Sequence, residues 1–257
     1  MNYIALWDEM QEKARLQKKD DGIWNKLAKQ YASHTKYDRT SRVAWQLSEM
    51  SIPEGATVLD VGAGTGALAY PLKEAGAEVT VLEPTEAMRE HLQGFALIPA
   101  AFETAELPKE YDYVITSFSF FFKGFEKSIR KMNTAAKREV HIFWFLKTPS
   151  RGVEELWQIL HNEPYAGDPD AEILVKALEQ MGIHPTVTTF NQTRNQMYPD
   201  KDALLNDYYL RLLAETDEQK EIIAEYLLKR AEITPDGYCL KIDAPAAHVW
   251  WKKADIL

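Results

Sequence analysis

Asp60, Gly62, Gly64, Gly66 and Glu83 have the types and spacing for binding a nucleoside. Glycines let the main chain come close to a ligand, and free N–H groups at the start of a helix attract its polar atoms. A carboxylate roughly 20 residues beyond such a loop, at the end of the next strand, can accept both hydroxyls of a ribose. Glu83 stands near that distance. Dinucleotide sites share this acid, so it indicates a nucleoside without saying which one. The glycine spacing discriminates: a dinucleotide fingerprint is G-x-G-x-x-G, whereas the order here is G-x-G-x-G. Asp60 precedes the first glycine by two residues. Its charge would repel a pyrophosphate and suits a cationic amino-acid group.

These residues need a strand, a turn and a helix to position them. Residues 57–61 (TVLDV) form a short β-branched run, as in a strand buried on both faces. A helix is expected over 65–75, ended by Gly76. A second strand covers 78–83, and Pro84 stops it before a helix over 85–92 that Thr85 can cap. Further strands are expected at 96–100, 112–117, 139–146 and 186–190. The apolar patch 113–125 reads as a buried strand running into an active-site loop. This alternation of strand and helix predicts crossover units and a parallel sheet. Helical stripes follow at Val153, Leu156, Trp157 and Leu160, and at Ile173, Leu174, Ala177, Leu178 and Met181. Two more run through 204–213 and 222–227. Residues 237–242 and 247–251 read as extended, ending in an antiparallel edge partner for the sixth strand. Ahead of the first strand, Ile23, Trp24, Leu27, Ala28 and Tyr31 recur at helical spacing, with Asp20 or Asp21 as the cap, and another helix covers 39–50.

The 257 residues are 46% hydrophobic, enough for a packed core. Thirty Lys and Arg against 39 Asp and Glu leave a net charge of −9. That balance argues against a nucleic-acid partner, which needs a basic face. The single cysteine, Cys239, leaves no internal disulfide and no cysteine zinc or iron–sulfur centre within one chain. No histidines and acids stand at metal-ligand spacing, so no metal is expected. The first twenty residues are charged throughout and lack a secretory apolar stretch, and no window reaches the ~18 apolar residues of a membrane span. A cytoplasmic protein without membrane contact is the expectation.

The run Val58-Leu59-Asp60-Val61-Gly62-Ala63-Gly64-Thr65-Gly66-Ala67 resembles the first motif of the class I S-adenosylmethionine-dependent methyltransferases, and Val81-Leu82-Glu83-Pro84-Thr85-Glu86-Ala87-Met88 resembles their second. Phe102 to Pro108 stands where that family often has G-D-A-x-x-L-P, with Phe102 in place of Gly and Thr104 in place of Ala. Tyr111 to Ile115, followed by Thr116-Ser117-Phe118, resembles the fourth motif. The resemblance covers about residues 20–147. It implies a doubly wound, mostly parallel, seven-stranded α/β sheet of Rossmann-like type. The expected layout is one domain over 1–257: an N-terminal helical cap (1–52), a cofactor core (53–147), and helical insertions with C-terminal strands (148–257).

The same resemblance implies S-adenosylmethionine as cofactor and a small-molecule methyl acceptor. Asp60, Gly62, Ala63, Gly64 and Gly66 would meet its methionine part, and Glu83 its ribose. Pro84 and Met88 would lie near the adenine, Glu103 and Thr104 at its polar edge, and Ser117 and Phe118 near the sulfonium. Trp24 and Tyr31 would close the pocket from above, with Phe120, His141 and His161 as further pocket candidates. His141, His34, Tyr31 and His161 are the groups that could take a proton. Core packing is the competing reading for Trp24, Tyr31, Phe120 and His141. His161-Asn162-Glu163-Pro164-Tyr165 is similar to the N-P-P-Y of amino-group methyltransferases, but follows the fifth strand instead of the fourth, and is read as a loop. Two other functions stay open: a binding protein that keeps the nucleoside site without turnover, and an NAD-dependent oxidoreductase, which the glycine spacing disfavours. A homodimer is also left open.

Overall fold

The computed structural model describes residues 1–18, 25, 28, 42–149 and 152–253. In chain order the elements are α1 (Tyr3–Lys18), α2 (Arg42–Met50), β1 (Thr57–Val61), α3 (Ala69–Glu74), β2 (Glu78–Leu82), α4 (Glu86–Arg89), β3 (Ala96–Ile98), β4 (Tyr111–Ser117), α5 (Phe125–Ala135) and β5 (Ala136–Phe145). Then come α6 (Val153–His161), α7 (Ala171–Gln180), β6 (Thr186–Phe190), β7 (Thr193–Tyr198), α8 (Lys201–Arg211), α9 (Asp217–Leu228), β8 (Glu232–Thr234), β9 (Gly237–Asp243) and β10 (Ala246–Lys252).

Seven strands form one sheet in the order β3-β2-β1-β4-β5-β10-β6. β3, β2, β1, β4 and β5 run parallel, and β10 is antiparallel to both of its neighbours. Alternate residues of the central strands feed two cores. Leu59, Val61, Val114, Val140 and Ile142 pack on one face with Trp7 of α1, Phe125 and Ile129 of α5, and Leu174 of α7. Val58, Tyr113, Ile115 and Phe143 pack on the other with Val43 of α2 and Leu72 of α3. Both faces being covered explains why the strands read as near-continuous apolar runs. The sheet order reverses at β1, which lies between β2 and β4, and in such sheets a crevice opens beyond the carboxyl ends of the strands at this point.

The N-terminal helix is locked by exchanged caps. Gln180 Oε1 accepts from the N–H groups of Tyr3 at 2.7 Å and Ile4 at 3.3 Å. Asp8 in turn accepts from Phe125 N–H at 2.9 Å, at the start of α5. A third core, with Trp157, Tyr198, Leu204, Tyr208, Ile223 and Leu240, joins α6, α8 and α9 to a small antiparallel sheet, β7-β9-β8.

Several expectations change. The helix expected over 65–75 begins only at Ala69, because Gly62, Gly64 and Gly66 all take positive φ and keep the chain in turns. The helix expected over 85–92 is the short α4; Thr85 occupies its cap position but makes no side-chain cap bond. Helix α5 and strand β7 were not anticipated. The last strand is not an edge strand: β10 lies between β5 and β6, and β9 pairs in the small sheet instead. Ala246, Ala247 and Val249 are fully buried, which suits an interior strand, whereas half-exposed β6 takes the edge. The stripe around Trp24 and Tyr31, its Asp20 or Asp21 cap, and His34 lie outside the described residues.

His141 belongs to the core. It is 1% exposed in the middle of β5, and its Nδ1 lies 2.9 Å from Nε2 of His248, which is 0% exposed on β10. His248 Nδ1 faces Glu49 of α2 at 3.4 Å, and the same carboxylate accepts from Thr188 of β6 at 2.5 Å. Burial first, and the neighbouring His141 second, hold the His248 pKa down from 6.5 to about 4, although Glu49 pulls the other way. The neutral imidazole is therefore the folded form, and the stability it supports above pH 6.5 is lost as pH falls toward 4. Urea unfolding of the protein and of His248→Gln at pH 7.5, 6 and 5 tests this. The wild-type advantage is expected to shrink steadily with falling pH; a constant advantage would contradict it.

Candidate functional site

The site begins where β1 ends. Gly62 N–H continues the ladder to Leu82 O at 2.8 Å, and Ala63 N–H reaches the same oxygen at 3.2 Å. The chain then turns through Gly62, Gly64 and Gly66 at φ of 72°, 56° and 83°, a region that L side chains rarely occupy. At two of the three, space adds a second constraint. A Cβ on Gly62 would lie 2.6 Å from Ser119 Oγ, and one on Gly66 2.8 Å from the Tyr70 ring. Ser119 is itself engaged, donating to Val61 O at 3.0 Å. A Cβ on Gly64 would meet nothing within 4 Å, so there the main chain borders open space.

Glu83, at the end of β2, holds this turn. One carboxylate oxygen accepts from Gly64 N–H and the other from Thr85 N–H, each at 2.8 Å. Each oxygen keeps a further lone pair for a ligand hydroxyl. Asp60 lies beside it and is 2% exposed. Burial, with the Glu83 carboxylate as a lesser cause, raises the Asp60 pKa from 3.8 to about 7. Glu83 is itself only 5% exposed. Two carboxyls buried together are costly, and a cation placed against them would offset that cost.

The space they face is a cavity of about 280 Å³. Asp60, Gly62, Ala63, Gly64, Glu83, Pro84, Met88, Glu103, Ser117 and Phe118 all line it. Phe118 sits at φ 53°, unusual for a bulky residue, directly after β4. That bend aims the residues after Ser117 across the crevice mouth. Gln46 of α2 donates to Ser117 Oγ at 2.8 Å.

Other candidates fall elsewhere. Gly66 is not in the cavity wall and instead makes room for Tyr70. Thr104 is exposed, turned back on Ala101 O at 3.3 Å. Phe120 is fully buried against Trp7, Phe122 and Phe125, so it is core, and its neighbours Phe121 and Phe122 reach the cavity. His141 pairs with Ile115, two residues short of the Ser117–Phe143 level at which the cavity opens. His161, at the end of α6, lines a separate space of about 410 Å³ with Trp157 and Glu163, and its Nε2 contacts Leu212 O at 2.8 Å.

The cavity also holds residues the sequence did not single out. Arg42 of α2 is 7% exposed, with its guanidinium 4.8 Å from the centre of the Phe118 ring. Thr65, Thr85, Phe102 and Ser119 complete much of the wall. For Ser119, the signal was the Thr116-x-x-Ser119 spacing, which brings the two hydroxyls to 2.9 Å. Nothing in the local sequence marks Arg42, because it arrives from another element. Among the described residues no three of His, Cys, Asp or Glu gather to hold a metal ion, and no helix is long and apolar enough to cross a membrane. The cradle fits a nucleoside that carries a cation: main chain open at Gly64, a carboxylate at each side, and aromatic rings across the mouth.

Residues 59–144 match the sequence profile described as a methyltransferase domain. An uncharacterized methyltransferase of Staphylococcus carnosus is 32% identical over 77 residues, covering 29% of this chain and 37% of that protein. The chain thus matches little more than a third of that relative's length. A candidate methyltransferase structure from Bacillus halodurans superimposes with a TM-score of 0.56 at 14% identity, over 84% of this chain and 100% of that one. Another, from an antibiotic biosynthesis pathway of Anabaena variabilis, gives 0.55 at 18% identity, over 80% and 95%. Both are likenesses of fold.

The raised Asp60 pKa carries a stability cost with a definite sign. The folded state holds the proton longer than the unfolded one, so stability falls as pH rises from 3.8 to about 7 and stays low above that. Asp60→Asn is therefore expected to unfold at higher urea than the wild type at pH 8, by on the order of 2–4 kcal/mol, and to match it near pH 4. Equal or lower stability of the variant at pH 8 would show that Asp60 is already well paired.

Proposed function

The chain carries a methyltransferase domain of the class I, S-adenosylmethionine-dependent family, and from that premise we propose that it transfers a methyl group from S-adenosylmethionine to a small-molecule acceptor. The observation that carries this reading is the pair Asp60 and Glu83, buried at 2% and 5% on either side of the open glycine turn. The bound donor supplies a methyl group made electrophilic by its sulfonium.

The protein's own residues bind, orient and exclude water. Asp60 pairs with the α-ammonium, and the Gly62–Gly64 main chain lies along the methionine part. Glu83 receives the ribose hydroxyls on the lone pairs left by Gly64 and Thr85. Met88, 3% exposed, packs on the base, and Glu103 accepts from its amino group. Phe118 and Phe121 cover the side from which an acceptor approaches. An aromatic face contributes roughly 0.5–2 kcal/mol toward a cation. Holding donor and acceptor in line is worth more, roughly 7–11 kcal/mol. A crevice of about 280 Å³ and a net charge of −9 favour a small acceptor over a nucleic acid.

Calorimetry with S-adenosylhomocysteine should give a micromolar Kd or tighter, weakened at least tenfold by Asp60→Asn or Glu83→Ala. The ionised Asp60 is the form that pairs with an ammonium, so affinity should rise as pH passes upward through about 7, and Asp60→Asn should flatten that rise. No binding at millimolar ligand would overturn the donor assignment. Labelled methyl transfer across a broad acceptor set separates an enzyme from a protein that only holds the donor.

A further inference from the structure

The Ala101–Glu103 wall of the cavity belongs to a single turn. The N–H groups of Thr104 and Ala105 both donate to Ala101 O, at 3.2 and 2.9 Å. The carbonyls of Phe102 and Ala105 leave that turn on the side away from the cavity, toward α5. There Lys131 meets them. Its Nζ donates to Ala105 O at 2.6 Å and also to Phe102 O, and it sits 4.8 Å from the centre of the Phe102 ring. A cation at the carbonyl end of a turn stabilises it as a cation does at a helix C-terminus. Lys131 does not line the cavity. Among the described residues, its ammonium meets carbonyl oxygens and a ring face, and the Glu103 carboxylate acts on it through its charge without forming an ion pair.

The front of the same turn is tied to the loop after β4. Glu103 Oε1 accepts from Lys123 N–H at 2.8 Å, and the Phe102 ring packs on Phe122 at 4.9 Å. Phe102, Glu103 and Phe122 all face the cavity. One carboxylate oxygen of Glu103 is thereby directed, and its position depends on a turn that Lys131 grips from behind.

We propose that Lys131 is a positioning residue that sets the base selectivity of the cavity, by holding the 101–105 turn so that the Glu103 carboxylate meets an amino group on the nucleobase; this rests on the S-adenosyl reading above. A carboxylate only accepts hydrogen bonds. It favours adenine, which presents an exocyclic amino donor, and disfavours hypoxanthine, which presents a carbonyl in the same place. If the turn relaxes, that discrimination is lost before the grip on the methionine end, which Asp60 and the glycine turn provide.

The test titrates S-adenosylhomocysteine and S-inosylhomocysteine against the wild type, Lys131→Arg, Lys131→Gln and Lys131→Met. Wild type is expected to prefer the adenine ligand at least tenfold. Lys131→Met should narrow that ratio at least fivefold while keeping the rise in affinity with pH that reports Asp60. Arginine should restore most of the preference and glutamine less. Hydrogen exchange should be faster at the amides of 101–105 in Lys131→Met, with those of β1 unchanged. Should Lys131→Met not fold, the order of arginine above glutamine carries the same test. An unchanged ratio, or equal loss of both ligands, would overturn the role given to Lys131. Failure of the wild type to bind either nucleoside would instead remove the S-adenosyl reading, and this inference with it.

Discussion

The site depends on one carboxylate with two masters. Glu83 is bound by Gly64 N–H from the glycine turn and by Thr85 N–H from the loop that follows β2. These are charge-assisted bonds in a buried setting, the stronger class of hydrogen bond. They hold together two loops that leave neighbouring parallel strands and share no other element. With Glu83 in place, the turn can keep three residues at positive φ, Gly64 can turn its bare face to the cavity, and Pro84 and Thr85 form the adjoining wall. The same carboxylate also raises the cost of ionising Asp60. Anchoring the loop and conditioning the acid beside it are two effects of one buried charge.

Around that centre the scaffold divides its work. The face bearing α1, α5 and α7 packs through a large apolar cluster. The face bearing α2 is different: Arg42, Gln46 and Glu49 follow one another along that helix. Gln46 reaches Ser117, and Glu49 reaches Thr188 and His248. One helix therefore spans from the cavity rim to the far strands of the sheet. The third core, drawn from α6, α8, α9 and the small sheet, has no residue in the cavity wall.

What the sequence made legible was local. The glycine spacing, Asp60 and Glu83 could be read because each works through its own stretch of backbone, and β1, β2 and β4 because burial on both faces leaves a near-continuous apolar run. Helix α5 escaped because the Phe118–Phe122 run drew attention to the loop, although Phe125, Ile129 and Met132 stand at helical spacing just after it. β7 (TRNQMY) is too polar to announce a strand, and its pairing with β9 is remote in sequence. Arg42 needed the third dimension. Phe120 and His141 had the right chemistry at the wrong depth: on a buried strand and its exit, neighbouring side chains alternate between cavity and core, and composition alone does not say which is which.

The strand that completes the large sheet is β10, inserted between β5 and β6 after the whole of the small sheet and its helices. Until it docks, β5 presents an unsatisfied row of main-chain donors and acceptors, and β6 has no other partner strand among the described residues. Closing such a long excursion of chain is entropically slow. A folding intermediate that already possesses the nucleoside cradle, built wholly from earlier strands, would thus carry an open, sticky flank for as long as the C-terminal segment remains unplaced.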